Sequence, residues 1–286
     1  MSNVLIHADD YAISDHVSES VCELIKKGAI DSISVMPNMK TTESGIAMLA
    51  PYVNQVLISI HLNLVEGKCT ADPKKIPCLV SPDGFFKLSW MQIMIKSWNR
   101  EFRIQAAIEF CAQIERTQNM LRTVGFIGRI RIDSHQHIHM IPGLFATVCG
   151  LSKEFDIEYI RLTREPLLPF FKATSLWKTY HVVNITKNIL MNLFSLWDRR
   201  WLKRLKLEYH YFFGLLITGK MDYDRVRYLI SLMPPQHTLE VVFHVGRMLE
   251  SEITDEYNKK SFIREHISSR RLLELETVVR LWNLKN

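Results

Sequence analysis

Four short segments of the chain carry residues suited to chemistry: His7-Ala8-Asp9-Asp10, His61, Asp133-Ser134-His135-Gln136-His137-Ile138-His139 and His244. Neutral imidazole nitrogen and carboxylate oxygen make up the ligand set of a divalent cation kept open for reaction, with water completing its coordination. Three imidazoles within five residues would all face one side if the chain there were extended, a costly cluster unless something binds them. The adjacent pair Asp9 and Asp10 allows one carboxylate to hold an ion while its neighbour takes a proton from water beside it. Metal-assisted hydrolysis is the chemistry this pattern predicts. Taken singly the residues say less. Either aspartate could cap a turn, and a lone His61 or His244 could be a satisfied core or surface histidine.

Their position adds weight, because each segment directly follows a short apolar run. Val4-Leu5-Ile6 precedes His7, and runs at 56–60, 129–132 and 239–243 precede His61, Asp133 and His244; further strands are predicted at 32–36 and 158–162. Between them lie segments of helical period. One starts at Ser14 or Asp15, presents Val17, Val21, Leu24 and Ile25 on a single face, and stops at Gly28. A longer one is marked by Ile104, Ala107, Ile108, Cys111, Ile114 and Leu121 and ends near Gly125, and others are predicted at 142–155, 223–232 and 263–282. This alternation predicts an α/β fold built on a mostly parallel sheet or barrel. In either, all strand C-termini open on one side, so residues 200 positions apart converge there. The stretch 166–220 interrupts the rhythm and reads as a mostly helical insertion in a single domain.

The 286 residues are 47% hydrophobic and 23% charged, ordinary for a globular chain with a sizeable core. Lys and Arg number 36 against 30 Asp and Glu, a net charge of +6 that does not suggest dedicated nucleic-acid binding. The five cysteines are widely spaced and never form a CxxC pair, so neither a disulfide framework nor a thiolate metal site is expected, and the compartment expected is reducing and cytoplasmic. No signal-peptide pattern and no run of 18 apolar residues is present. Residues 187–206 form a basic amphipathic pattern: Lys187, Arg199, Arg200, Lys203, Arg204 and Lys206 against Asp198 alone, with Leu190, Leu193, Phe194, Trp197, Trp201 and Leu205 at helical spacing. Two readings stand. The helix could lie on an anionic bilayer, as a peripheral contact at the inner membrane surface, or its apolar stripe could pack on the barrel or on a second subunit of a homo-oligomer.

At these motifs the sequence resembles the YdjC-like carbohydrate deacetylases, the family that includes the ChbG chitooligosaccharide deacetylases and the hopanoid-associated HpnK branch. The matching segments are Ala8-Asp9-Asp10-Tyr11, His61-Leu62-Asn63-Leu64, Asp133 to His139, and Glu240-Val241-Val242-Phe243-His244, and His210-Tyr211-Phe212-Phe213-Gly214 through Gly219-Lys220-Met221 is similar to the HpnK-type branch. The resemblance implies an irregular TIM-like (β/α) barrel that removes an N-acetyl group from an amino sugar, in an oligosaccharide or linked to a lipid, with a divalent metal, Mg or Zn. It implies that Asp10, His61 and His135 hold the metal, Asp9 is the base and His244 the acid. His137 and His139 would line the pocket or back the ligands, and Arg161, Arg164 and Glu165 would lie on the substrate side. This chain has Ala12 where the family usually has Gly, Val245 where it usually has Pro, and His7 in place of a frequent Asn. The alternatives are a metal-dependent hydrolase of another amide, ester or phosphate bond, and a non-catalytic sugar-binding protein at the membrane periphery.

Overall fold

The computed structural model describes residues 4–207, 209–233, 238–255, 257 and 259–283. Among these residues seven strands, β1 (Val4–Tyr11), β2 (Ser32–Val35), β3 (Leu57–Leu62), β4 (Ile130–Ser134), β5 (Ile157–Ile160), β6 (Tyr211–Phe213) and β7 (Leu239–Phe243), pair in parallel in the order β5-β4-β3-β2-β1-β7-β6. Among the described residues ten α-helices connect and cover them: α1 (Asp15–Lys26), α2 (Thr42–Leu49), α3 (Trp90–Lys96), α4 (Arg100–Thr123), α5 (Pro142–Leu151), α6 (Leu168–Lys172), α7 (Val182–Leu205), α8 (Tyr223–Ser231), α9 (Lys260–His266) and α10 (Arg270–Asn283). The order is that of a ring opened between β5 and β6, which makes the fold an irregular TIM-like (β/α) barrel. Where strand pairing stops, other bonds bridge the gap. Phe212 N–H donates to the Arg164 carbonyl at 3.0 Å, and Glu165 accepts from the backbone of Gly214 at 2.8 Å and of Leu216 at 2.9 Å.

Alternation along the strands sorts side chains into two layers. Ile6, Ala8, Ile33, Val35, Ile58 and Ile60 face outward into the apolar core shared with the helices. The residues between them face the barrel interior and are polar: His7 and Asp9 on β1, Ser32 and Ser34 on β2, Ser59 and His61 on β3, Arg131 and Asp133 on β4, with Arg161 just after β5 and Glu240 on β7, all buried. Register keeps them level, with His7 opposite Ser32 and His61 opposite Asp133.

The stretch 166–220 is mostly helical, with α6 and α7, and also lends Tyr211–Phe213 to the sheet as β6. One local expectation needs correction, at the end of the chain. The helix expected over 263–282 is two, α9 and α10, broken at 267–269. Ser14, rather than Asp15, caps α1, its hydroxyl accepting from Val17 N–H.

Candidate active site

Consecutive residues on a strand point to opposite faces, so Asp9 and Asp10 could not both look into one cavity from a regular strand. The end of β1 is irregular. Pairing with β2 slips between Ala8 and Tyr11, and Asp10 and Ala12 take left-handed backbone conformations, φ 62° and 66°. The distortion turns both carboxylates into a cavity of about 530 Å³ at the C-terminal end of the sheet. Ala12 thus holds a positive φ with a side chain where glycine would hold it without strain.

Extension does not continue past β4 either, which corrects the expectation that three histidines share one face. The strand ends at Ser134, and a short 3₁₀ segment follows in which Gln136 and His137 have φ of 53° and 57°. The three imidazoles diverge. His135 joins Asp10, His137 lines the cavity with Nδ1 3.2 Å from Thr163 Oγ1, and His139 turns inward between Ser134 and the Arg161 carbonyl.

Asp10 is the point of convergence. Its Oδ1 lies 3.1 Å from His135 Nδ1 and 3.3 Å from His61 Nε2; its Oδ2 lies 2.9 Å from His266 Nε2 and 3.8 Å from His244 Nε2. His266, on α9, is 256 positions away in sequence and was not foreseen; a lone histidine on a short helix far from the strand motifs gives no local signal. Asp10, His61 and His135 together meet the spacing needed for three ligand atoms on one ion.

The donor set fits a cation. His61 Nδ1 is 2.7 Å from Asp133, and a carboxylate can only accept there, so Nε2 turns its lone pair toward Asp10. His266 repeats the arrangement, with Nδ1–H donated to the Phe262 carbonyl at 2.9 Å and Nε2 facing Asp10. Two acceptors opposed at such distances are stable only with positive charge between them, a second proton on the imidazole or a cation in its place. Among the described residues, His135 Nε2 is buried without a hydrogen-bond partner. Burial alone would lower the His61 pKa, yet the charges of Asp9 and Asp133 raise it to about 10, so the site holds positive charge strongly.

Beneath lies a buried ionic cluster. Arg161, fully buried, reaches from the end of β5 to three carboxylates: Asp9 at 3.0 Å, Asp133 at 2.9 Å and Glu240 at 3.0 Å. His7 stands between Asp9 and Glu240, a ring nitrogen 3.0 Å from each. Burial would push these carboxyl groups up, but the Arg161 charge holds all three below the ordinary range. Asp133, and through it His61, is thereby fixed in place, with Ser34 as a further donor.

Of the residues expected on the substrate side, only His137 lines the cavity. Arg161 is consumed by the ionic cluster, His139 is buried behind the ligands, and Glu165 is committed to the barrel seam with Asn188 as a third donor at 2.6 Å. Arg164 lies over the Tyr211 ring, 5.3 Å from its centroid. His244 is partly exposed to the cavity. Its backbone N–H donates to Glu274 at 2.6 Å, and Gly246 (φ 87°) turns the chain close over α1, so Val245 needs no proline to aim it. The opposite wall is mostly apolar, with Trp90, Met91, Val182, Val183, Leu190 and Leu215, interspersed with Asn184, Lys187 and Thr218.

Comparison with known proteins places this geometry among relatives. The profile of the family described as YdjC-like protein matches residues 3–280. A carbohydrate deacetylase of Clostridium beijerinckii is 28% identical over 236 residues, covering 80% of this chain and 90% of that one. One from Geobacillus stearothermophilus is 30% identical over 167 residues, 58% of this chain and 62% of its own, and one from Danio rerio is 23% identical over 169 residues, 51% of its length. In fold, the chain superposes on a protein of Enterococcus faecalis V583 described as a cellobiose-phosphate cleavage protein, with TM-score 0.64 at 14% identity, covering 98% and 94% of the two chains.

Proposed function

The chain belongs to the YdjC-like protein family, and from that premise we propose that it is a carbohydrate deacetylase that hydrolyses the N-acetyl group of an amino sugar with a divalent metal. The observation that carries the reading is the meeting of His61, His135 and His266 on Asp10, beside a second carboxylate, in a cavity large enough for a sugar. In this reading Asp10, His61 and His135 hold the ion, with Asp133 fixing His61 from behind. A divalent cation held there supplies Lewis-acid polarisation of the amide carbonyl and activation of water. Imidazole-rich ligation favours zinc or a similar transition ion over magnesium, which prefers oxygen.

The chain's own groups do the rest. Asp9, kept ionised by Arg161 and His7, takes a proton from the attacking water on its carboxylate, and that same pairing fixes its direction. His244 Nε2 faces the cavity and delivers a proton to the departing amine, its main chain anchored by Glu274. Trp90, whose indole N–H donates to the Gln136 carbonyl at 3.2 Å, offers a fixed apolar wall for the sugar face, while Asn184, Lys187 and Thr218 can meet its hydroxyls. Acetate and a free amino sugar leave. An idle pocket has no need of so expensive a polar set, which weighs against a non-catalytic binding protein.

The test is loss of one acetyl mass from N-acetylglucosamine oligosaccharides, followed by mass spectrometry with and without chelator. Turnover should vanish with chelation, and Asp9→Asn should lower it by roughly 10² to 10⁴ while divalent-ion affinity is retained. Release of phosphate or of another acyl group, with no acetate, would replace this reading with that of a different hydrolase.

A further inference from the structure

Helix α7 exposes much of its apolar surface while burying polar side chains. Its buried face carries Asn188, Ser195 and Asp198 beside Met191 and Leu202, whereas Ile189, Leu193, Leu196, Trp197 and Trp201 stand in solvent, Leu193 53% and Trp197 65% exposed. Exposed side chains extend this apolar surface beyond the helix. Val182 and Val183 begin α7 on the rim of the active-site cavity, and Met91 on α3 shares that rim. Phe171 and Trp177 line an apolar groove beside Ile185. An apolar helix face exposed to this extent marks a docking site.

Charge identifies what docks. The helix bears five cations, Lys206 follows at its C-terminus, and its single acid, Asp198, is buried. Arg200 lies over the Trp197 ring and Arg204 over Trp201, 5.5 and 5.4 Å from the centroids, so cations stand among the exposed apolar side chains. A second copy of this chain would bring the same cations against themselves. We propose that α7 and the cavity rim dock on an anionic lipid bilayer, tryptophans at the headgroup level and arginines against lipid phosphate. No described helix is long and apolar enough to cross a membrane, so the contact is peripheral. The active-site mouth then opens at the bilayer surface.

Co-sedimentation of the whole protein with phosphatidylcholine vesicles, with and without about one quarter phosphatidylglycerol, tests this. Binding is expected at low salt to the anionic vesicles only. Replacing Arg199, Arg200, Lys203 and Arg204 together with Gln should weaken it on the order of 10³-fold. The double substitution Leu193→Ser and Trp197→Ser should also weaken it while leaving the melting temperature unchanged, because both side chains are exposed. Absence of binding to anionic vesicles, equal binding to neutral ones, binding indifferent to both variants, or a dimer broken by Trp197→Ser would each overturn the proposal.

Discussion

Ala12 pays a conformational penalty of about 1–2 kcal/mol for its left-handed backbone, and Gly45 on α2 is what lets it stay. A Cβ at Gly45 would lie 2.7 Å from the Ala12 Cβ and 3.1 Å from Ser18 Oγ, while Tyr11 clamps the two segments by donating to the Gly45 carbonyl at 2.6 Å. Gly45→Ala should therefore destabilise by about 1–3 kcal/mol. Adding Ala12→Gly should recover part of that loss, a coupling that a urea-denaturation double-mutant cycle would read directly. If the two substitutions were additive, the turn carrying Asp10 would not depend on this contact. His266 affords a second test at the same scale. Since its Nδ1–H is tied to the Phe262 carbonyl, Nε2 is fixed on Asp10, and His266→Phe should weaken divalent-ion binding by roughly 10–100-fold in titration calorimetry. Unchanged affinity would reduce His266 to a packing partner of the Phe262 ring, 4.3 Å away.

Among the elements, α7 buries Asp198, whose two oxygens find no partner among the described residues. Burial pushes its pKa up to about 9. A carboxyl group raised in the folded state is stabilised in its protonated form, so its contribution is complete below the unfolded pKa near 4 and is lost as pH rises toward 9. Asp198→Leu should thus stabilise the protein, by about 1–3 kcal/mol at pH 8 and by less at pH 5, in denaturation curves at the two pH values. Equal effects at both would mean that the carboxyl has a partner. The strands were legible because apolar runs followed by His or Asp leave a local trace: 239–243 was read to the residue and β2 to β5 within two residues at either end, while β1, read over 4–6, runs on to Tyr11. What escaped was whatever depends on distant pairing. Arg161 resembled a substrate group until three carboxylates from other strands surrounded it, β6 is too short to announce itself, and the direction of His137 and His139 turns on two left-handed residues that composition does not mark.

For the molecule as a whole, the proposed ion would tie together β1, β3 and the end of β4, with α9 joined to it through His266 on Asp10. A ligand that binds only the folded chain stabilises it by about 2.7 kcal/mol at a hundred times its dissociation constant. Chelation should accordingly lower the melting temperature by several degrees, with zinc restoring it; a midpoint indifferent to chelator and zinc would count against an ion at Asp10. The order of the sheet has its own bearing on how the protein comes into being. β1 lies between β2 and β7, and its second neighbour begins at Leu239, more than two hundred residues later. As the nascent chain leaves the ribosome, the strand that bears both aspartates waits half-zipped until β7 has been made. Such long-range closure makes for slow folding and a long interval in which a chaperone can bind the exposed edge.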